Sequence, residues 1–151
     1  MKTACTLELK TKHKLEKGCL MDGVKENLKI MVVDDSKTIR RTAETLLQRE
    51  GFDVITAVDG FDALAKIADV EPDVIFIDVM MPRLDGYQTC VILKNSQLYQ
   101  NIPVIMLSSK DGLFDQAKGR VVGASEYLTK PFSKDELLVA IQKTVEPLTL
   151  N

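Results

Sequence analysis

The sequence predicts an α/β fold: a five-stranded parallel sheet with helices on both faces. Three observations predict it. Short apolar runs alternate with stretches of helical period five times along the chain, as parallel strands joined by right-handed crossovers do. The central run, Val74-Ile75-Phe76-Ile77, has no solvated alternation, so it reads as a strand buried on both faces. It also runs straight into Asp78, and the carboxyl end of a buried parallel strand is where such sheets place their ligands.

Residues 1–28 lack an amphipathic period and contain Gly18 and Gly23, so they read as a flexible tail, with Met21 an alternative start. The first strand is Ile30–Val33, ended by Asp34-Asp35, and Ser36 or a neighbour caps the next helix. Ile39, Ala43, Leu46 and Leu47 are the core stripe of that helix, and Gly51 stops it. Val54–Ala57 is the second strand. Asp59 caps a helix with Leu64, Ile67 and Ala68 on one face. After the central strand, Pro82 through Gly86 is a turn-rich loop, and Tyr87, Cys90 and Val91 face inward from the third helix. Pro103–Leu107 is the fourth strand. Phe114, Ala117 and Val121 mark a helix weakened by Gly112 and Gly119. Ser125–Leu128 is the fifth strand, ended by Thr129-Lys130-Pro131. Ser133 and Glu136 form a capping box for a last helix carrying Leu137, Leu138, Ile141 and Val145, expected to end before Pro147. The domain is therefore expected over 29–147, with a short tail at 148–151.

At 151 residues the chain has room for one domain with a real core. No apolar run approaches the roughly 18 residues of a membrane span, and charges at Glu8, Lys10, Lys12 and Lys14 leave no signal-peptide core, so a cytoplasmic protein is expected. Residues 1–29 hold seven lysines against four acids, whereas residues 30–151 hold 13 basic and 18 acidic residues. An acidic body is a poor non-specific binder of nucleic acid. The three cysteines make no C-x-x-C pair, and Cys5, His13 and Cys19 match no zinc spacing. Cys90 reads as a packed core thiol.

In a parallel sheet all carboxyl ends share one edge. Asp34, Asp35, Asp78, Ser108 and Lys130 therefore meet there, with Asp34 and Asp35 both expected to face inward. Clustered carboxylates repel, and such a cluster persists around a cation or for chemistry. All-oxygen donors select a hard ion, and magnesium takes one or two carboxylates beside a phosphate oxygen. Metal, lysine and a hydroxyl donor together suit a phosphoryl group, and Asp78 is placed to attack one.

The motifs Val32-Val33-Asp34-Asp35-Ser36, Ile77-Asp78-Val79-Met80-Met81-Pro82, Leu84-Asp85-Gly86, Met106-Leu107-Ser108 and Thr129-Lys130-Pro131-Phe132 make the chain resemble the receiver domain of two-component response regulators over about 29–146. The resemblance implies a CheY-like, flavodoxin-like (βα)5 sheet of strand order 2-1-3-4-5. It implies that Asp78 accepts phosphate from a histidine kinase. Asp34, Asp35, Asp78 and the backbone carbonyl of Met80 would bind Mg2+, and Lys130 would pair with a phosphoryl oxygen. Ser108 and Tyr127 would act as the switch, and Met80 and Lys110 would tune phosphate lifetime. It further implies a cis Lys130-Pro131 bond, and an output face made by helix four, strand five and helix five for a downstream effector protein. The protein would be a monomer or a phosphorylation-dependent homodimer. Within the family, the stretches 34–41, 81–90 and 108–115 are similar to stand-alone regulators of type IV pilus twitching motility. A flagellar chemotaxis regulator and a phosphate-independent scaffold are the alternatives; a scaffold would have lost one of Asp35, Asp78 or Lys130. A phosphohydrolase would want an acid where Met80 stands, and a nucleotide-binding domain would want a glycine-rich loop where Asp34-Asp35 stands.

Overall fold

The computed structural model describes residues 27–109 and 113–149. Five strands and five helices alternate: β1 Lys29–Val33, α1 Lys37–Arg49, β2 Asp53–Ala57, α2 Gly60–Val70, β3 Val74–Asp78, α3 Gly86–Lys94, β4 Val104–Ser108, α4 Leu113–Val121, β5 Glu126–Thr129 and α5 Lys134–Thr149. The sheet is parallel throughout, in the order β2-β1-β3-β4-β5.

Alternation along the inner strands splits the core in two. Ile30, Val32, Val74, Phe76, Ile105 and Leu107 face one layer, packed with Ala43 and Leu47 of α1 and Leu137 and Ile141 of α5. Met31, Val33, Ile75, Ile77 and Met106 face the other, with Ala63 and Ile67 of α2 and Tyr87, Cys90 and Leu93 of α3. Strands β3 and β4 are buried at every position, which is why both read as continuous apolar runs.

The helix starts follow side-chain chemistry. Ser36 accepts from the Ile39 amide, Asp59 from Asp62, and Ser133 and Glu136 make the expected reciprocal box. Gly51, at φ 92°, terminates α1 as expected.

Several expectations change. Leu28, assigned to the tail, is fully buried, and its carbonyl accepts from Asp53. A lone leucine before a lysine carries no period, so its burial was not readable. Ala68 and Val91 are exposed, while Ala63 on α2 and Thr89 and Leu93 on α3 are buried alongside the expected Ile67, Tyr87 and Cys90. On α4, Ala117 and Val121 are exposed, and Gly119 is the buried position among the described residues of that helix. The last helix continues through Pro147 to Thr149, two residues into the expected tail; a proline so near the end removes one intrahelical bond without stopping the helix. The expectations for residues 1–26, with Cys5, His13, Cys19 and Met21, for Lys110 and Gly112, and for the side chain of Phe114 lie outside what is described. Among the described residues no helix is long and apolar enough to cross a membrane.

Candidate functional site

Parallel register brings the expected side chains to one edge. Asp34 follows β1 and is fully buried, its amide donating to the Ala57 carbonyl. Asp34 Oδ1 accepts from the Ser36 amide at 2.8 Å, and Arg40 Nη1 donates to the Asp34 carbonyl at 2.7 Å. Asp78 closes β3 and is 4% exposed, and its Oδ1 accepts from the Met80 amide at 3.2 Å. Ser108 closes β4, buried, and its carbonyl accepts from the Lys130 amide. Lys130 follows β5, and the Lys130-Pro131 bond is cis, as the resemblance implied.

Lys130 Nζ lies 2.8 Å from Asp34 Oδ2 and 3.1 Å from Asp78 Oδ1. One ammonium thus serves two acids. Carboxylate oxygens of Asp34, Asp35 and Asp78 all lie within 4.8 Å of one another. Asp35 itself is exposed, correcting the expectation that both acids of the pair turn inward: Asp34 goes into the protein and Asp35 stands at the rim. The step beyond the strand end lets successive residues diverge while their oxygens stay close.

Burial, with the neighbouring Asp34 charge, pushes the Asp78 carboxyl up to about 6 against the pull of Lys130. Burial also disfavours charge on Lys130, but the hydrogen-bonding and charge of Asp34 and then Asp78 outweigh it, so its pKa rises. The acids are thus under-neutralised. Asp34 Oδ2 is in ion-pair contact with Lys130 yet receives no well-directed hydrogen bond. A buried oxygen left so, among all-oxygen donors, fits a hard divalent cation.

Met80 lies on the loop leaving β3 and is 62% exposed. Tyr127 is half-buried on β5, paired with Met106 and packed against Gly119 of α4, beside a groove lined by Gln116, Arg120 and Ala124.

Three supporting features were not foreseen. Arg40 holds the Asp34 backbone. Asp85 and Gln88 form a capping box at the start of α3, readable in principle from their spacing. Gly86 fits because a Cβ there would lie 2.4 Å from the Asp78 carbonyl oxygen. That neighbour is backbone and cannot step aside. Gly86→Ala is expected to cost about 2 kcal/mol of stability in urea unfolding, from the strain of overpacking. An unchanged midpoint would show that the approach of α3 to the site is slack.

Comparisons with known proteins agree with this geometry. The sequence profile of the response regulator receiver domain matches residues 30–142. The chain is 67% identical over 129 residues to Protein PilG of Pseudomonas aeruginosa, covering 85% of this chain and 96% of that protein. It is 46% identical over 111 residues to the alkaline phosphatase synthesis transcriptional regulatory protein PhoP of Bacillus subtilis, covering 74% of this chain and 45% of that longer protein. Among solved structures, chemotaxis protein CheY4 of Vibrio cholerae superposes with a TM-score of 0.74 at 36% identity, covering 78% of this chain and 98% of that one. The receiver domain of Francisella response regulator 1452 gives 0.74 at 39% identity, covering 81% and 99%.

Proposed function

The chain belongs to the response regulator receiver domain family, and from that premise we propose that it is a phosphorylation-activated switch of a chemotaxis-like phosphorelay. The observation that carries the reading is the convergence of Asp34, Asp35 and Asp78 within 4.8 Å around an ammonium 2.8 and 3.1 Å from two of them. In this reading Asp78 attacks the phosphorus of a kinase phosphohistidine. An oxygen–phosphorus bond forms to Asp78 as the phosphorus–nitrogen bond breaks, and the histidine ring leaves. The protein is its own substrate, so it is a phospho-accepting signalling domain and not an enzyme acting on a free molecule.

Magnesium, held by Asp34, Asp35, Asp78 and the Met80 carbonyl, would supply positive charge to the phosphoryl oxygens. Lys130 pairs with another of those oxygens. With its carboxyl pushed up to about 6, Asp78 loses its proton near neutrality and is ready as a nucleophile. Ser108 turns its hydroxyl toward the new phosphate, and Tyr127 moves into the space that shift vacates. Met80 and Lys110 set how long the phosphate lasts. A bound charge of this kind biases a two-state equilibrium, and the reshaped surface of α4, β5 and α5 is read by an effector protein. The likeness to PilG supports a role in type IV pilus twitching motility, in the cytoplasm. The domain begins near Leu28, and the chain acts as a monomer or as a dimer formed on phosphorylation.

The switch is tested with beryllofluoride, a stable phosphoryl mimic, by amide hydrogen exchange. With Mg2+ and beryllofluoride, exchange should change across residues 104–109 and 126–130 of the wild type and stay unchanged in Asp78→Asn. No change in the wild type would leave a phosphate-independent scaffold.

A further inference from the structure

The loop between β3 and α3 carries Met80, to which the proposed function gives a role at the metal. Its ends are fixed. The Met80 amide donates to Asp78 Oδ1 at 3.2 Å, and the Gly86 amide donates to the Val79 carbonyl at 3.1 Å. Between them Arg83 sits at φ 68°, a left-handed backbone that a non-glycine residue adopts at a cost.

The Arg83 side chain reaches out of the loop. Its Nη2 donates to Asp59 Oδ2 at 2.5 Å, and its guanidinium carbon stands 5.5 Å from the centre of the Phe61 ring. The other oxygen, Asp59 Oδ1, caps α2 by accepting from Asp62 at 2.8 Å. One carboxylate therefore ties a helix start with one oxygen and the loop with the other. That helix start is itself immobilised. A Cβ on Gly60 would lie 2.4 Å from Thr89 Oγ1 of α3 and 2.8 Å from the Leu84 side chain.

Arg83 is 68% exposed, and exposed ion pairs add little to overall stability. The pair's value lies in where it holds the backbone. We infer that Arg83, Asp59 and Phe61 form a clamp that fixes the middle of the β3–α3 loop against α2. In doing so it positions Met80 for the metal, a step that rests on the proposed function. Arg83 is thus a positioning residue, acting through a loop it does not share with the acids of β1.

Two variants of the full chain test it. Asp59→Asn keeps a good helix cap and removes the charge that Arg83 binds. Arg83→Gly removes the guanidinium and adopts φ 68° without strain. Amide hydrogen exchange on the metal-free protein and Mg2+ titration calorimetry at physiological ionic strength are the readouts. Exchange of the 80–84 amides should quicken in both variants. Mg2+ affinity should fall in both by about tenfold, the scale seen for outer partners of a metal site. The double variant should be no weaker than Arg83→Gly alone.

Charge alone makes the opposite forecast for one of them. Losing the Arg83 cation would tighten Mg2+ binding, while losing the Asp59 anion would weaken it. Arg83→Gly binding Mg2+ as tightly as the wild type, or additive losses, would overturn the clamp. A wild type that takes up no Mg2+ would instead overturn the proposed function, along with the metal-directed part of the inference.

Discussion

Asp78→Asn raises the stability of the metal-free protein at pH 7.5 by about 2 kcal/mol, roughly 6 °C in melting temperature for a domain of this size. The cause is the crowding of buried acids. Burial first, and the Asp34 charge second, raise the Asp78 carboxyl to about 6 from an ordinary value near 3.8. Between those two values the folded protein binds a proton that the unfolded chain has released. Stability therefore falls as pH rises through that window, and above about 6 the folded state carries the whole penalty. Asparagine is neutral at every pH and escapes it. The gain should shrink as pH drops and vanish below about 4, where Asp78 is protonated in both states. Thermal melts in a chelator from pH 4 to 8 check this. An equal or lower melting temperature for the variant at pH 7.5 would mean that the acids do not press on one another. Added Mg2+ should reverse the order, stabilising the wild type more than the variant.

Lys130→Ala produces the largest loss, about 3 kcal/mol in the metal-free protein near pH 8, because it strands two acids that are out of water. Its Nζ is in contact with both Asp34 and Asp78. The loss should ease toward pH 5, where Asp78 takes up a proton and needs less compensation. On the basic side the raised Lys130 pKa works in the usual sense. Its contribution is complete below the ordinary lysine value of 10.5 and fades as pH climbs through the higher folded value, a limb the variant lacks. Combining Lys130→Ala with Asp78→Asn should cost markedly less than Lys130→Ala alone. A double variant as unstable as the single one would place the damage in packing and not in charge. Urea unfolding of all four proteins completes the cycle.

Much of this was legible because a parallel sheet ties sequence to position tightly. Strands β3 and β4, buried along their whole length, announced themselves as unbroken apolar runs. Once the strands were placed, topology alone put Asp34, Asp78, Ser108 and Lys130 on one edge. The less legible parts are those decided by a few atoms of tertiary fit. Nothing in Asp34-Asp35 says which acid turns inward. Val91, Ala117 and Val121 face outward, and Tyr87, Cys90 and Leu93 of α3 and Gly119 of α4 lie against the sheet instead. Leu28 joins the core because β2 extends one residue further along β1 than the apolar run suggests. The left-handed Arg83 and its reach to Asp59 had no local signature, since the partners lie 24 residues apart.

The central claim is that Asp78 accepts a phosphoryl group with the help of Mg2+ and Lys130. Intact-mass spectrometry after incubation with acetyl phosphate tests it most directly, on the wild type, Asp78→Asn and Lys130→Ala, with and without Mg2+. The account predicts a single phosphoryl adduct on the wild type that requires Mg2+, is absent from Asp78→Asn and is strongly reduced in Lys130→Ala. Rapid loss of the phosphate is controlled by following beryllofluoride uptake in parallel. A wild type that gains neither the adduct nor the mimic, or an adduct that persists in Asp78→Asn, would contradict it.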